Sequence, residues 1–389
     1  MNPAQAESSV QIPEEAKNWK IAHVFPNHAW GGAEIQMVEL AQWQTEAGLD
    51  VTIWCKEDTP IHKEARRRGL KCITDYVPLK AAIPPLWKIV PVVKRHGFTH
   101  IHIHWATGIR VFMGIKLFCP VKLIFYTHMW ITKNKKDPLH ALAYSQIDKW
   151  TVSGPRAKEA VLKHLPVREE QLEFVSYGID FRQLPKNLRI NGHPRPGLRS
   201  EWGLPENALV FGFFGRIDRQ KGVAEFVKAL GPLLKEFPNL HLMMVGDPTI
   251  NEEDALKYKQ EVDALIEAIP EKDRIRRFGH QRDFHSPLAC CDLLVLPSYM
   301  ESYSILIAHS FSLGIPVVST NAGGTPDLVQ PPLRGWLVPS RSVSELQETV
   351  REIARNPEAI RAKREACERY ATENHSHTAV VKRFIEIYS

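Results

Sequence analysis

The sequence has little of what marks a secreted, membrane-spanning or disulfide-stapled protein. Its six cysteines in 389 residues (Cys55, Cys72, Cys119, Cys290, Cys291 and Cys367) include no Cys-x-x-Cys pair. They read as small buried hydrophobes in a reducing compartment, which excludes a disulfide frame and a cysteine zinc site. No apolar run approaches the roughly 18 residues of a membrane span. The stretch from Met1 to Lys20 is polar and acidic, without the apolar centre of a secretory leader. Charge of one sign is scarce as well: 50 basic and 44 acidic residues leave +6, too mild to argue for nucleic acid. Three nucleotide signatures are missing. No Gly-x-Gly-x-x-Gly follows a strand-like run, no Gly-x4-Gly-Lys-Ser/Thr occurs, and there is no Asp-x-Asp. A nicotinamide dehydrogenase, a P-loop enzyme and a metal held through Asp-x-Asp are therefore not indicated.

What remains is an ordinary globular composition, 44% hydrophobic and 24% charged, in a chain longer than one core usually supports. Short β-rich runs alternate with longer helical patterns. The first series of runs is Ile21–Phe25, Val51–Trp54, Lys71–Tyr76, Ile101–Trp105, Leu123–Thr127, Trp150–Ser153 and Leu172–Ser176. The second is Leu209–Phe214, His241–Val245, Ile275–Phe278, Leu293–Leu296, Pro316–Ser319 and Gly335–Val338. Runs without strict polar alternation suit parallel strands buried on both faces. Helices are expected over Ala33–Ala47, Val223–Phe237 and Tyr258–Ala268. Repeated βαβ units predict an α/β chain with two Rossmann-like domains. The proline-, glycine- and asparagine-rich stretch Phe181–Pro205 marks the junction. The domains are accordingly placed at 1–182 and 183–371, with a last helix, 372–389, packing back on the first.

Four segments sit where strands end and helices begin, the place where such folds bind ligands. In PNHAWGGAE, Gly31 and Gly32 let backbone approach a ligand while the next helix offers its first amides to an anion. In FGRIDRQKG, Gly215 turns the chain and Arg216 and Lys221 supply two cations, the combination a diphosphate needs. In LPSYMESYS, Glu301 is expected at a helix start, with Ser302 and Ser304 able to cap; its carboxylate can accept from sugar hydroxyls. In YTHM, His128 ends a strand and can hydrogen-bond a donor or acceptor hydroxyl. His100, His102 and His104 alternate on one strand face, but no carboxylate partner is readable nearby, so no metal site is assigned.

FGRIDRQKG, the stretch LLVLPSYMESYSILIAHSFSLGIPVVSTNAGGTPDLV, the early GGAE and SYGID at Ser176–Asp180 together resemble glycosyltransferase family 4. The resemblance covers the whole chain. It implies the GT-B fold, two Rossmann-like domains facing across a cleft, the first on the acceptor side and the second binding the nucleotide sugar. It further implies a retaining, metal-independent transferase that moves a sugar from a nucleotide-diphosphate sugar to a glycan or lipid-linked acceptor, with no cofactor. Catalytic roles then fall to His128, Arg216, Lys221 and Glu301, and donor contacts to Gly31, Gly32, Gly215, Gly279, Ser302, Tyr303, Ser304 and His309. Gly279 stands where the family holds the nucleobase. His309 stands where the family's second glutamate of a Glu-x7-Glu pair binds ribose, and a neutral imidazole accepts one hydrogen bond where a carboxylate accepts two.

Family habit suggests cell-surface polysaccharide or lipopolysaccharide synthesis. Trp130, Lys133, Lys135 and Lys136 offer a peripheral contact with a membrane surface, which would place a cytoplasmic protein at the inner face of the plasma membrane. Because of His309, the second reading is a non-catalytic nucleotide-sugar-binding partner of another transferase.

Overall fold

A computed structural model describes residues 10–28, 30–81, 83–185, 187–248 and 253–389. The chain forms two compact units, one of residues 1–181 with 374–389, the other of residues 182–373.

The first unit is a seven-stranded sheet: β1 (Lys20–Phe25), β2 (Asp50–Cys55), β3 (Lys71–Ile73), β4 (His100–Ile103), β5 (Lys122–Tyr126), β6 (Lys149–Val152) and β7 (Leu172–Phe174). The order is β3-β2-β1-β4-β5-β6-β7, with every neighbouring pair parallel. The strand order reverses between β1 and β4, so the loops after these strands part and leave room above the sheet. The end strands are shorter than the apolar pattern predicts. β3 stops at Ile73 and β7 at Phe174; they pair with β2 and β6.

A two-stranded antiparallel piece, β8 (Arg189–Ile190) with β9 (His193–Pro194), opens the second unit. The strands β10 (Leu209–Phe214), β11 (Leu240–Val245), β12 (Ile275–Phe278), β13 (Leu293–Leu296), β14 (Val317–Thr320) and β15 (Gly335–Val338) follow. Their order is β12-β11-β10-β13-β14-β15, again all parallel, reversing between β10 and β13. β13 is buried at every position, as a central parallel strand must be. The single helix expected over Val223–Phe237 is two helices, Val223–Leu230 and Leu233–Glu236. Pro232 between them cannot donate a helix hydrogen bond. The helix expected from Tyr258 begins earlier and spans Glu253–Glu267.

The helix His377–Tyr388 lies on the first unit. Its final tyrosine is fully buried; its hydroxyl accepts from Gln44 Nε2 at 3.0 Å, and its carbonyl accepts from Lys122 Nζ at 2.9 Å. Tyr388→Ala is expected to destabilise the first unit by about 3–5 kcal/mol, the usual cost of emptying a buried aromatic site. Urea unfolding of the two proteins checks this, and an unchanged midpoint contradicts it.

Candidate functional site

In the second unit, the chain leaves β10 at Phe214 and turns through Gly215 into a short 3-10 turn, Arg219–Lys221. Asp218 caps that turn: its side chain accepts from the Lys221 amide at 3.0 Å, while its other carboxylate oxygen pairs with Arg216 Nη2 at 3.2 Å. One carboxylate therefore shapes the loop and holds its first cation. Arg216 keeps 63% of its side chain exposed, within reach of a ligand.

The loop after β13 meets this one. Tyr299 N donates to Gln220 O at 2.7 Å, and Lys221 Nζ donates to Glu301 Oε1 at 2.6 Å. Two glycines, one after β10 and one after β14, let neighbouring backbone come close to the loop after β13. Gly222 has φ +68°, and a Cβ there would stand 2.1 Å from the carbonyl oxygen of Pro297. Gly323 has φ +60°, and its Cβ would stand 1.9 Å from the carbonyl oxygen of Glu301, which instead accepts from the Gly324 amide at 2.9 Å. Backbone atoms fill the space a side chain would need.

The structure thus brings Lys221 and Glu301 into direct contact and ties Arg216 to them through Asp218. One local expectation is corrected. The helix after β13 starts at Ile305, so Glu301 precedes it in the loop; Ser304 sits at the cap position without a side-chain capping bond. Ser302 and Tyr303 complete the turn into the helix. His309, on that helix, has Nδ1 3.0 Å from His285 Nε2 and its ring edge-on to Phe284 at 5.0 Å. Burial pushes His285 down to about 4.

Gly279 follows β12 and borders a hollow of about 650 Å³ lined also by Ile217, Gly246, Asp247, Lys259 and Arg277. Asp247 Oδ2 accepts from the His280 amide at 2.7 Å, fixing the backbone next to Gly279. Sequence reasoning passed over Asp218 and Asp247. The Asp-x-x-Lys spacing of a capped turn could have found the first.

In the first unit, Gly31 caps the helix Gly32–Glu46 in extended conformation, and a Cβ at Gly32 would meet nothing within 4 Å. Asn27, Ala33 and Glu34 around these glycines line a shallow hollow together with His104, Trp105 and His128. His128 Nδ1 lies 3.0 Å from the Tyr177 hydroxyl and Nε2 3.4 Å from His104 Nδ1, and Tyr126 stacks on the ring at 4.5 Å. Burial holds His128 down at about 3, so it is neutral.

The histidine grouping differs from the sequence expectation. His100 Nε2 turns to the carbonyl of Tyr388 at 3.1 Å, and His23 takes its place beside His102 and His104. The cause is register: His23 of β1 pairs directly with His102 of β4. His23 and His100 are pushed to about 4 and His102 and His104 well below the ordinary value, in each case first by burial.

Residues 195–374 match the family described as Glycosyl transferases group 1, and residues 30–183 match Glycosyltransferase Family 4. A D-inositol 3-phosphate glycosyltransferase of Corynebacterium kroppenstedtii is 29% identical over 197 residues, 49% of this chain and 42% of that protein. The chain spans about half the length of the curated relatives it matches. Among solved structures, Anabaena Alr3699/HepE in complex with UDP has a TM-score of 0.77 at 18% identity, covering 94% of this chain and 98% of that one. WaaG, a glycosyltransferase involved in lipopolysaccharide biosynthesis, has a TM-score of 0.65 at 17% identity, covering 95% and 99%.

Two expectations follow from the geometry. Gly222→Ala should cost about 1–3 kcal/mol through its left-handed backbone alone, with the contact on Pro297 added; a chemical melt of the variant reads the loss, and a stability equal to the parent's refutes the close approach. Second, His23, His100, His102, His104 and His128 are neutral when folded, whereas the unfolded chain binds protons on them near pH 6.5. Their stability contribution is therefore full above about pH 6.5 and falls as pH drops toward 4. Glu39, raised to about 7 mainly by burial, and Glu368, raised for the same reason, act oppositely but are fewer. Calorimetric melting at pH 7.5 and 5.5 should show a clearly lower Tm at the acid value, and a flat profile would count against neutral burial. On its two family matches and its paired parallel sheets, the chain belongs to the glycosyltransferases of GT-B fold.

Proposed function

We propose that this protein transfers a sugar from a nucleotide-diphosphate sugar to a glycan or lipid-linked acceptor, with retention of anomeric configuration and without a metal. The carrying observation is the 2.6 Å bond between Lys221 and Glu301. In a nucleotide sugar the diphosphate and the sugar are joined by one bond, so a cation and a carboxylate in contact at the ends of β10 and β13 match its two halves. The donor diphosphate would draw Lys221 from Glu301 and Arg216 from Asp218. Glu301 would then accept hydroxyls of the sugar, and the amides entering the helix at Ile305 would face phosphate. Gly279 and the hollow beside it are assigned to the nucleobase, and His309 to the ribose.

In the reaction, the bond from the anomeric carbon to the phosphate oxygen breaks. A bond to the acceptor oxygen forms on the same face, and the acceptor proton passes to the departing phosphate. Arg216 and Lys221, once drawn onto the diphosphate, stabilise the charge growing on that leaving group. The first unit is assigned to the acceptor, with Gly31, Gly32 and His128 near the reacting sugar. The exposed Lys133 and Lys136 suit an acceptor presented at an anionic membrane surface, on the cytoplasmic side, and cell-surface polysaccharide or lipopolysaccharide synthesis is the pathway class.

The test is transfer by purified protein, beginning with UDP sugars because the Anabaena neighbour holds UDP. Arg216→Ala and Lys221→Ala should each lose about 2–4 kcal/mol of transition-state stabilisation in kcat/KM, the scale of one missing charge-stabilising contact. Full activity in both variants would overturn the diphosphate assignment. Donor binding without turnover on any acceptor would favour a non-catalytic partner instead.

A further inference from the structure

Four polar rings of the first unit lie in line. His23 and His104 have ring planes 11° apart and centroids 5.2 Å apart, with Nδ1 of the first 3.0 Å from Nε2 of the second. That separation is the one expected when two imidazoles meet end to end, not face to face. His104 and His128 continue the row at 3.4 Å, and His128 and Tyr177 close it at 3.0 Å with planes 7° apart. Phe25 stacks on His104 at 4.6 Å and Tyr126 on His128 at 4.5 Å, holding each ring in place, with the planes of His104 and His128 at 39° to one another. At the inner end, Gln44 presents Oε1 to His23 Nε2 at 2.8 Å and Nε2 to the Tyr388 hydroxyl at 3.0 Å.

A neutral imidazole has one donor and one acceptor nitrogen. Each bond in the row therefore dictates the next. The Gln44 carbonyl accepts, so His23 carries its proton on Nε2 and offers Nδ1 as acceptor. His104 must then donate from Nε2, which leaves Nδ1 to accept from His128 Nε2. His128 Nδ1 is left as the acceptor for the Tyr177 hydroxyl. The Tyr388 hydroxyl, accepting from Gln44, donates in turn to His102 Nδ1 at 3.0 Å.

We propose that Gln44, His23 and His104 are positioning residues that hold His128 as its Nε2–H tautomer. The amide of one buried glutamine thereby sets the proton on a side chain three bonds away. His128 then meets substrate as a hydrogen-bond donor through Nε2. Its 3.4 Å contact with His104 is the longest in the row and the one a sugar oxygen can replace. The placement of His128 near substrate rests on the transferase reading; the tautomer does not. A ring nitrogen from each of His23, His102 and His104 falls within 4.8 Å of the others, but a cation is not the better occupant. His23 Nδ1 and His104 Nε2 face one another directly, whereas metal ligands must aim at a common outside point.

The test is nitrogen NMR of ¹⁵N-histidine-labelled full-length protein. The expected result is protonated Nε2 and bare Nδ1 on His23, His104 and His128 alike. A proton on Nδ1 of any one of the three overturns the proposal, as does an equivalent of Zn²⁺ retained after dialysis, which would take these nitrogens out of the row. Gln44→Met, near in size but unable to accept, should let the His128 signals move to a mixture of tautomers and lower kcat about 10-fold at unchanged donor KM, as supporting partners of a working histidine do. Unchanged His128 tautomer in that variant also overturns it. Should no acceptor be turned over, the transferase reading fails while the NMR result still decides the row; should transfer occur with the wrong tautomer, only the row falls.

Discussion

Backbone pressed on backbone is the constraint from which the second unit's site follows. At Gly222 and Gly323 the chain passes so close to the carbonyls of Pro297 and Glu301 that no side chain fits. The first contact holds the turn after β10 against the end of β13, across the point where strand order reverses, and the second holds the loop after β14 against the loop after β13. Lys221 and Glu301, eighty positions apart, meet because their main chains are already locked. The charges do not create the site; they occupy one that steric exclusion has built. A surface ion pair of this kind contributes little by itself, so its service is to keep two reactive groups in position until a ligand separates them.

The first unit is organised by a different use of polar groups. Removal from water keeps His23, His100, His102, His104 and His128 uncharged. Neutral rings are tolerated inside a protein when each nitrogen finds a partner, and nearly all of these do, in one another or in Gln44, Thr99, Tyr177 and Tyr388. His102 Nε2 is the exception among these described rings. A row of imidazoles closed at its ends by Gln44 and Tyr177 has few acceptable proton arrangements, and this gives the interior a direction that hydrophobic packing alone lacks.

The parallel sheets were legible because strands covered on both faces read as unbroken apolar runs, and β10, β12, β13 and β15 match those runs end to end. The edge strands of the first sheet, β3 and β7, were overestimated, while those of the second, β12 and β15, were not. The Gly231-Pro232 break was visible but was overridden by helical periodicity on either side. Of the candidate site, the residue types in the loop after β10 were readable from chemistry. The pairing of Lys221 with Glu301 was not, because it depends on strand order and not on spacing. Alternation along β4 suggested His100, His102 and His104 as one group. Register across to β1 replaced His100 by His23, a substitution that only sheet order could reveal.

The helix His377–Tyr388 carries a consequence for the order of events during synthesis. Tyr388 supplies the hydroxyl and carbonyl that hold Gln44, His100, His102 and Lys122 of the first unit, yet all of residues 182–373 lie between them along the chain. The contacts that Tyr388 makes in the first unit can therefore form only after every residue of the second has been synthesised.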